Sequence, residues 1–258
     1  MVGGADMNDD RIDSGELSLL GPDSVCSYLP DQTSRFEHRW IWTLTSEQYE
    51  LMLERGWRRF GRALFRPACR TCHECLSLRI VLPTVSLSKS QRRCLKRNGD
   101  VHVKIQPPTV TDEHLRLYNA WHQDMHLRRG WPLRSTTRDE YYETFVAGEF
   151  EFCREFLYFR KNRLIGIGLV DITPRVQSSI YFMHDPEWRD KAPGTFSVLS
   201  EIAAGREAGR DYLYMGYYIR DCGSMNYKNR YRPHELLQDY VTDEQQPVWQ
   251  LPEDRPSA

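Results

Sequence analysis

The sequence predicts an α+β protein, and three observations carry that expectation. Two capped amphipathic patterns, "TDEHLRLYNAWHQDMHLRRG" and "TTRDEYYETFVAG", read as helices between residues 111 and 148. Strand-like runs follow them: "EFLYFRKNRLIGIGLVDI" makes two strands joined at Lys161-Asn162, and "QSSIYFMHD" a third. A helical run, "TFSVLSEIAAGREAG", then leads into a last strand, "DYLYMGYYI".

The elements before residue 107 follow local chemistry. Residues 1–22 lack hydrophobic periodicity and read as a disordered acidic tail, while 251–258 read as a frayed end. Thr45 can cap a helix with Gln48 three residues on, Tyr49, Met52 and Leu53 form its apolar stripe, and Gly56 stops it. "LSLRIVLP" reads as a strand. "LSKSQRRCLKRNGD" reads as a short basic helix, with Leu87, Cys94 and Leu95 inward and Lys89, Arg92, Arg93, Lys96 and Arg97 outward. "IQPPTV" at 105–110 is a stiff junction. It divides an N-terminal cysteine-bearing domain, 23–106, from a second domain, 107–250. The helix, meander, helix, strand order of the second domain is that of acetyltransferase-like folds of the GNAT type.

Composition narrows the function classes. With 258 residues and 40% hydrophobic content, the chain can bury a substantial core. No apolar run nears the roughly 20 residues that cross a bilayer, and the acidic start is unlike a signal peptide. Seven cysteines, an odd number, fit a reducing compartment better than a disulfide framework, so the cytoplasm is expected. The net charge of −1 conceals segregation: residues 58–104 carry twelve Lys or Arg against Glu74 and Asp100, a field that attracts polyanions.

Four motifs bear on chemistry. "RPACRTCHEC" sets Cys69, Cys72 and Cys75 at a spacing that lets thiolates converge on zinc or an iron–sulfur cluster, with Cys26 as fourth ligand and His73 as substitute. Buried thiols packing as small hydrophobes are the alternative. His122 and His126 have zinc spacing but no third ligand, which favours a packed or substrate-facing histidine. "KAPGTFSVL" places Lys191 and Gly194 at a strand-to-helix turn, where amides could hold phosphate. Phe196 there disfavours a close pyrophosphate. "YLYMGYYIRDCGSMNYKNRYRP" interleaves six tyrosines with Arg220, Lys228, Arg230 and Arg232, a composition suited to an unpaired nucleic-acid end.

"CSYLP", "GWRRFGRALFRPACRTCHECLSLRI", "SKSQRRCLKRN", "APGTFSVL" and "YLYMGYYIRDCGSMNYKNRYRPHELL" together resemble, in that order, the arginyl-tRNA–protein transferase family, in its bacterial aspartate/glutamate leucyltransferase form. The resemblance spans residues 26 to 238. It implies a GNAT-like aminoacyltransferase that moves leucine or arginine from aminoacyl-tRNA to the N-terminal amine of proteins beginning with Asp or Glu, in the N-degron pathway. Eukaryotic relatives associate four cysteines with a metal or cluster. Cys26 and Cys72 fall at matching positions, whereas Leu29 and His73 occupy the partner positions, and "HLRRGWP" at 126–132 also departs from the bacterial pattern.

That reaction implies the remaining roles. Asp171, Asp185 and Tyr217 are the catalytic candidates. Arg79, Tyr218, Tyr227 and Lys228 are expected to bind substrate, with Lys228 or Arg79 pairing with the acidic side chain. Arg92, Arg93, Lys96, Arg97 and Lys191 are expected to contact tRNA phosphates. Transfer needs no cofactor. The competing readings are an RNA-binding zinc-ribbon module without activity and a coenzyme A dependent N-acetyltransferase.

Overall fold

The computed structural model describes residues 16–252. Most of the expected acidic tail therefore lies outside the described residues, as do residues 253–258. Residues 16–20 are not tail: β1 (Glu16–Leu20) pairs antiparallel with residues Glu37 to Ile41. β2 (Ser24–Val25) and β3 (Thr33–Ser34) form a short ribbon. β4 (Phe36–Ile41), α1 (Ser46–Glu54), β5 (Arg58–Phe60) and β6 (Ala63–Pro67) complete a four-stranded sheet of order β1-β4-β6-β5. Trp57 is buried beneath it, with the guanidinium groups of Arg39 and Arg66 each 4.4 Å from its ring.

The chain then builds a second sheet. β7 (Leu76–Val81), α2 (Lys89–Arg97), β8 (His102–Gln106), α3 (Asp112–Arg129) and α4 (Arg138–Tyr141) lead to the meander β9 (Cys153–Arg160), β10 (Arg163–Ile172) and β11 (Val176–His184). α5 (Pro193–Glu207) crosses to β12 (Tyr212–Tyr218), and β13 (His234–Leu237) and β14 (Trp249–Gln250) close the chain. The sheet order is β14-β13-β7-β12-β11-β10-β9-β8. The protein is thus mixed α and β around one large mixed sheet. Residues 76–106 supply β7 and β8 to it, so the junction at 105–110 does not separate one sheet from another.

Local chemistry accounts for the element ends. Thr45, Ser88 and Thr137 each accept from the amide three residues on, and Gln48, Gln91 and Glu140 reach back to the cap amides. Lys161 and Asn162 turn the β9–β10 hairpin with φ of 47° and 63°.

Alternation along the strands sorts the core to two faces. Phe156, Tyr158, Leu213 and Met215 pack under α2 and α5 against Cys94, Phe196, Leu199 and Ile202. On the opposite face, Leu157, Ile167 and Met183 meet Leu117 of α3, Tyr141 of α4 and Phe145 of the turn after it. Tyr214 and Val176 meet Tyr49, Trp57 and Leu64. The inward side of α3 is built on His114, Leu117, His122 and Met125; of the stripe Leu115, Tyr118 and Met125 that the sequence suggests, Met125 is buried and Leu115 and Tyr118 pack half-buried against the same core. No helix among the described residues is long and apolar enough to cross a membrane.

Candidate active site

β11 and β12 run parallel, but they pair only through Val176–Ser178 and Tyr212–Tyr214. Beyond that point β11 continues to His184 and β12 to Tyr218 without pairing, which opens a seam in the sheet, while on its other edge β12 shifts register against β7 at Gly216. Arg58, from β5 of the smaller sheet, fills the fork. Its Nη1 donates to Ser178 Oγ at 2.9 Å, and its Nη2 donates to the Ser179 carbonyl. Gly216 lies beside it with φ of 73°, and a Cβ there would meet Arg58 Nε at 3.0 Å. Glycine is required at this position on both counts.

Polar groups gather around that guanidinium in an otherwise apolar interior. Glu201 of α5 is 1% exposed; its Oε1 accepts from Ser197 Oγ at 3.1 Å, and Oε2 has no hydrogen-bond partner. Tyr158 donates to the same Ser197 at 3.1 Å. Burial pushes Glu201 up to about 7, against the pull of Ser179, Ser197 and Arg58. Lys228 is buried as well, donating to the Tyr217 carbonyl and to Met225. Burial, then the charge of Arg58, pushes its ammonium down to about 7. Two groups of opposite type thus titrate near neutrality at one seam, a pattern typical of sites that move protons.

The residues expected from sequence divide into three groups. Tyr217 and Lys228 lie at the seam, Tyr217 buried with its hydroxyl donating to the Phe65 carbonyl at 3.2 Å. Tyr218 and Tyr227 pack against the core on the α5 face, where burial raises Tyr227 to about 12. Tyr217 and Tyr218 therefore serve opposite faces of β12. Arg92, Arg93, Lys96 and Arg97 are exposed on α2, and Asn98 Nδ2 ties that helix to the Lys191 carbonyl at 2.9 Å, just ahead of α5. The five cations expected to meet phosphate thus share one surface.

Asp171, Asp185 and Arg79 stand elsewhere and are already engaged. Asp171 takes a two-pronged ion pair from Arg59, at 2.6 and 2.9 Å, both groups almost fully buried. Asp185 caps the turn Pro186–Lys191, accepting from Glu187 N at 3.0 Å and from Arg163 at 2.6 Å. Arg79 pairs with Glu235 at 2.7 Å, donates to Tyr214 at 3.1 Å, and lies between the rings of Tyr212 and Trp249. None has a free edge toward the seam. Arg58 stood in the sequence reading only within the run "GWRRFGRALF" and the basic stretch, with no role, and Glu201 had no place in it. Glu201 left one trace, a lone carboxylate within "SVLSEIAAG"; the role of Arg58 left none, since its partners lie 120 residues on.

The cysteines form a loose neighbourhood. Burial, together with Cys26, Cys69, Cys72 and Cys222, pushes the Cys75 thiol up to about 12. Cys69 Sγ faces the Arg35 backbone, and Cys26 Sγ accepts from Tyr28 N. Among the described residues no three His, Cys, Asp or Glu side chains converge closely enough to hold a metal ion. The donor types suit zinc or an iron–sulfur cluster, but their arrangement does not present a ligand set.

Comparison with known proteins places the chain in a family. The model for the N terminus of arginine-tRNA-protein transferase matches residues 24–93, and that for its C terminus matches 113–238. The first contains Arg58 and the second the seam it fills. The chain is 37% identical to an aspartate/glutamate leucyltransferase of Helicobacter hepaticus over 227 residues, which is 88% of this chain and 94% of that protein. It is 36% identical to one of Campylobacter jejuni over 86% and 93%, and 33% identical to one of Pseudomonas aeruginosa over 82% and 89%. Among solved structures, FemX aligns with a TM-score of 0.45 at 9% identity, covering 89% of each chain. L-PGS from Bacillus licheniformis aligns with a TM-score of 0.40 at 13% identity, covering 67% of this chain and 50% of the other. The two family matches and the relatives that span nearly its whole length establish that this chain belongs to the arginine-tRNA-protein transferase family and is an aminoacyltransferase.

Proposed function

We propose that this enzyme transfers leucine from leucyl-tRNA to the N-terminal amine of polypeptides beginning with Asp or Glu, as the names of its relatives indicate for them. The modification would mark such polypeptides for degradation in the cytoplasm. The observation that carries the reading is the open β11–β12 seam with a guanidinium set in its fork. The crossover of α5 between two parallel strands that then diverge also supports the GNAT-like architecture expected from sequence.

The chemistry needs an amine, an ester and a place for charge. An N-terminal amine with a pKa near 7.7–8.0 is partly neutral at pH 7. Its nitrogen attacks the ester carbonyl carbon, the carbonyl oxygen becomes an oxyanion, and collapse expels the tRNA terminal hydroxyl. The positive charge of Arg58 and the main-chain N–H groups of β11 released from β12 are the stabilisers for that oxyanion. Lys228, lowered to about 7, supplies a neutral amine that takes the proton the nucleophile loses and returns it to the departing tRNA oxygen, which leaves as the hydroxyl. This replaces the expectation that Lys228 pairs with the substrate's acid. No coenzyme A or ATP enters the balance. α2 and Lys191 would hold tRNA phosphates on the α5 side of the sheet, positioning without reading sequence.

Labelled leucyl-tRNA and arginyl-tRNA offered to peptides beginning with Asp, Glu, Arg or Ala test the proposal. Leucine should appear on the Asp and Glu peptides; failure of both donors on every peptide overturns it.

A further inference from the structure

On the face of the sheet opposite α5, β11 carries Tyr181 past the fork, roughly 7 Å along the strand from Ser179. The Tyr181 hydroxyl lies 3.1 Å from His122 Nε2 of α3. His122 is 6% exposed and stacks on Tyr118 with ring centroids 4.1 Å apart, and its Nδ1 has no hydrogen-bond partner. The loop after α3 is tied back over this ring. His126 Nδ1 bonds the Trp131 carbonyl at 2.6 Å, and Asn119 Oδ1 accepts from Thr136 N at 2.9 Å. The tie sets the exposed Arg134 close enough for its charge to act on Tyr118, His122 and Tyr181. Arg134 has no ion-pair partner among the described residues.

We propose that His122, Tyr181 and Arg134 form the subsite for the first residue of the acceptor polypeptide. Arg134 pairs with the side-chain carboxylate, and His122 Nδ1 meets the α-amine. The assignment rests on the transferase reading above and names the portion of the site that selects the acceptor. Arg79 is closed by Glu235 and its flanking rings, and Lys228 is buried, so neither is open to a carboxylate, whereas Arg134 is exposed and its charge reaches His122 and Tyr181. Burial and Arg134 both lower His122, so the imidazole stays neutral and can meet an amine without charge repulsion. An acidic residue would satisfy the unpaired guanidinium and the orphaned ring nitrogen together; a residue with a neutral side chain would leave the first without its partner.

Equilibrium binding of fluorescent decapeptides to the full chain requires no turnover, so it separates this assignment from that of the reaction. The unaltered chain should prefer an Asp-initiated peptide to its Asn-initiated twin at least tenfold. Arg134→Gln should erase that preference, and Arg134→Glu should turn it toward a Lys-initiated peptide. His122→Gln, which keeps a polar group near the Nε2 position for Tyr181, should weaken Asp- and Asn-initiated peptides alike by several-fold, with thermal melts confirming the fold of each variant. An Arg134→Gln chain that retains the Asp preference within twofold overturns the subsite, as does an unaltered chain without any preference. Arg134-dependent binding in a chain that transfers neither leucine nor arginine supports the subsite and removes the reaction assigned to it.

Discussion

Arg58 donates to Ser178 at 2.9 Å across 120 residues of sequence, and this bond sits where β11 and β12 cease to pair. A side chain from the smaller sheet therefore props the larger one open. Replacing Arg58 with Lys keeps a charge but loses the fork-shaped donor set, and kcat should fall by about 100-fold or more, as for other preorganised donors to an oxyanion. Single-turnover transfer with leucyl-tRNA checks this. A loss confined to KM for tRNA would place Arg58 in binding and not at the oxyanion.

Gly216→Ala tests the same contact from the other strand. The added methyl faces Arg58 Nε at 3.0 Å on a backbone with φ of 73°. Destabilisation of about 1–3 kcal/mol is expected in denaturant titrations. Transfer should fall with it, because Arg58 must move to make room.

Asp171→Asn separates a structural carboxylate from a catalytic one. Arg59 would be left buried without its counter-charge, at a cost of about 3–5 kcal/mol. Transfer by whatever fraction remains folded should be close to normal. A folded variant with severely reduced turnover would return Asp171 to the chemistry.

Glu201 gives the fold a pH signature. In the native state its carboxyl keeps its proton up to about pH 7, whereas an unfolded chain releases it near 4.3. The fold thus holds the extra proton across that window, and stability falls as pH rises through it. Glu201→Gln should remove the fall, raising stability by about 3–4 kcal/mol at pH 8 and by only about 1 kcal/mol at pH 5. Lys228 does not mask the effect: its native value of about 7 lies below its unfolded one, so its contribution increases stability with pH above 7. Melts of both forms across pH 5–8 decide the matter.

The basic helix makes a prediction about salt. Neutralising Arg92 and Arg97 should flatten the dependence of tRNA affinity on salt concentration by about 0.7–0.9 for each phosphate that α2 no longer neutralises. Charges on α2 that meet no phosphate would leave the slope unaltered.

Local chemistry was legible in the sequence and long-range pairing was not. The caps at Thr45 and Thr137, the Lys161-Asn162 turn and the outward face of α2 follow from neighbours three or four residues apart. The exposed cations of α2 fall together for that reason. Asp171 and Asp185 seemed free at strand ends because their partners, Arg59 and Arg163, lie 112 and 22 residues away. Arg58 was invisible for the same cause. The sheet β1-β4-β6-β5 was missed because its strands are short and only partly alternate, and because Glu16–Leu20 sits at the end of an acidic run.

The position of β7 has a consequence for biosynthesis. It lies between β12 and β13, strands that leave the ribosome more than a hundred residues later. Until they emerge, Leu78 and Ile80 have no neighbours on either edge and must wait exposed or chaperoned. Such late, distant pairing slows folding and invites aggregation of nascent chains. A gene split near residue 106 would accordingly yield two insoluble pieces whose rescue requires co-expression, even though each piece matches a family model of its own.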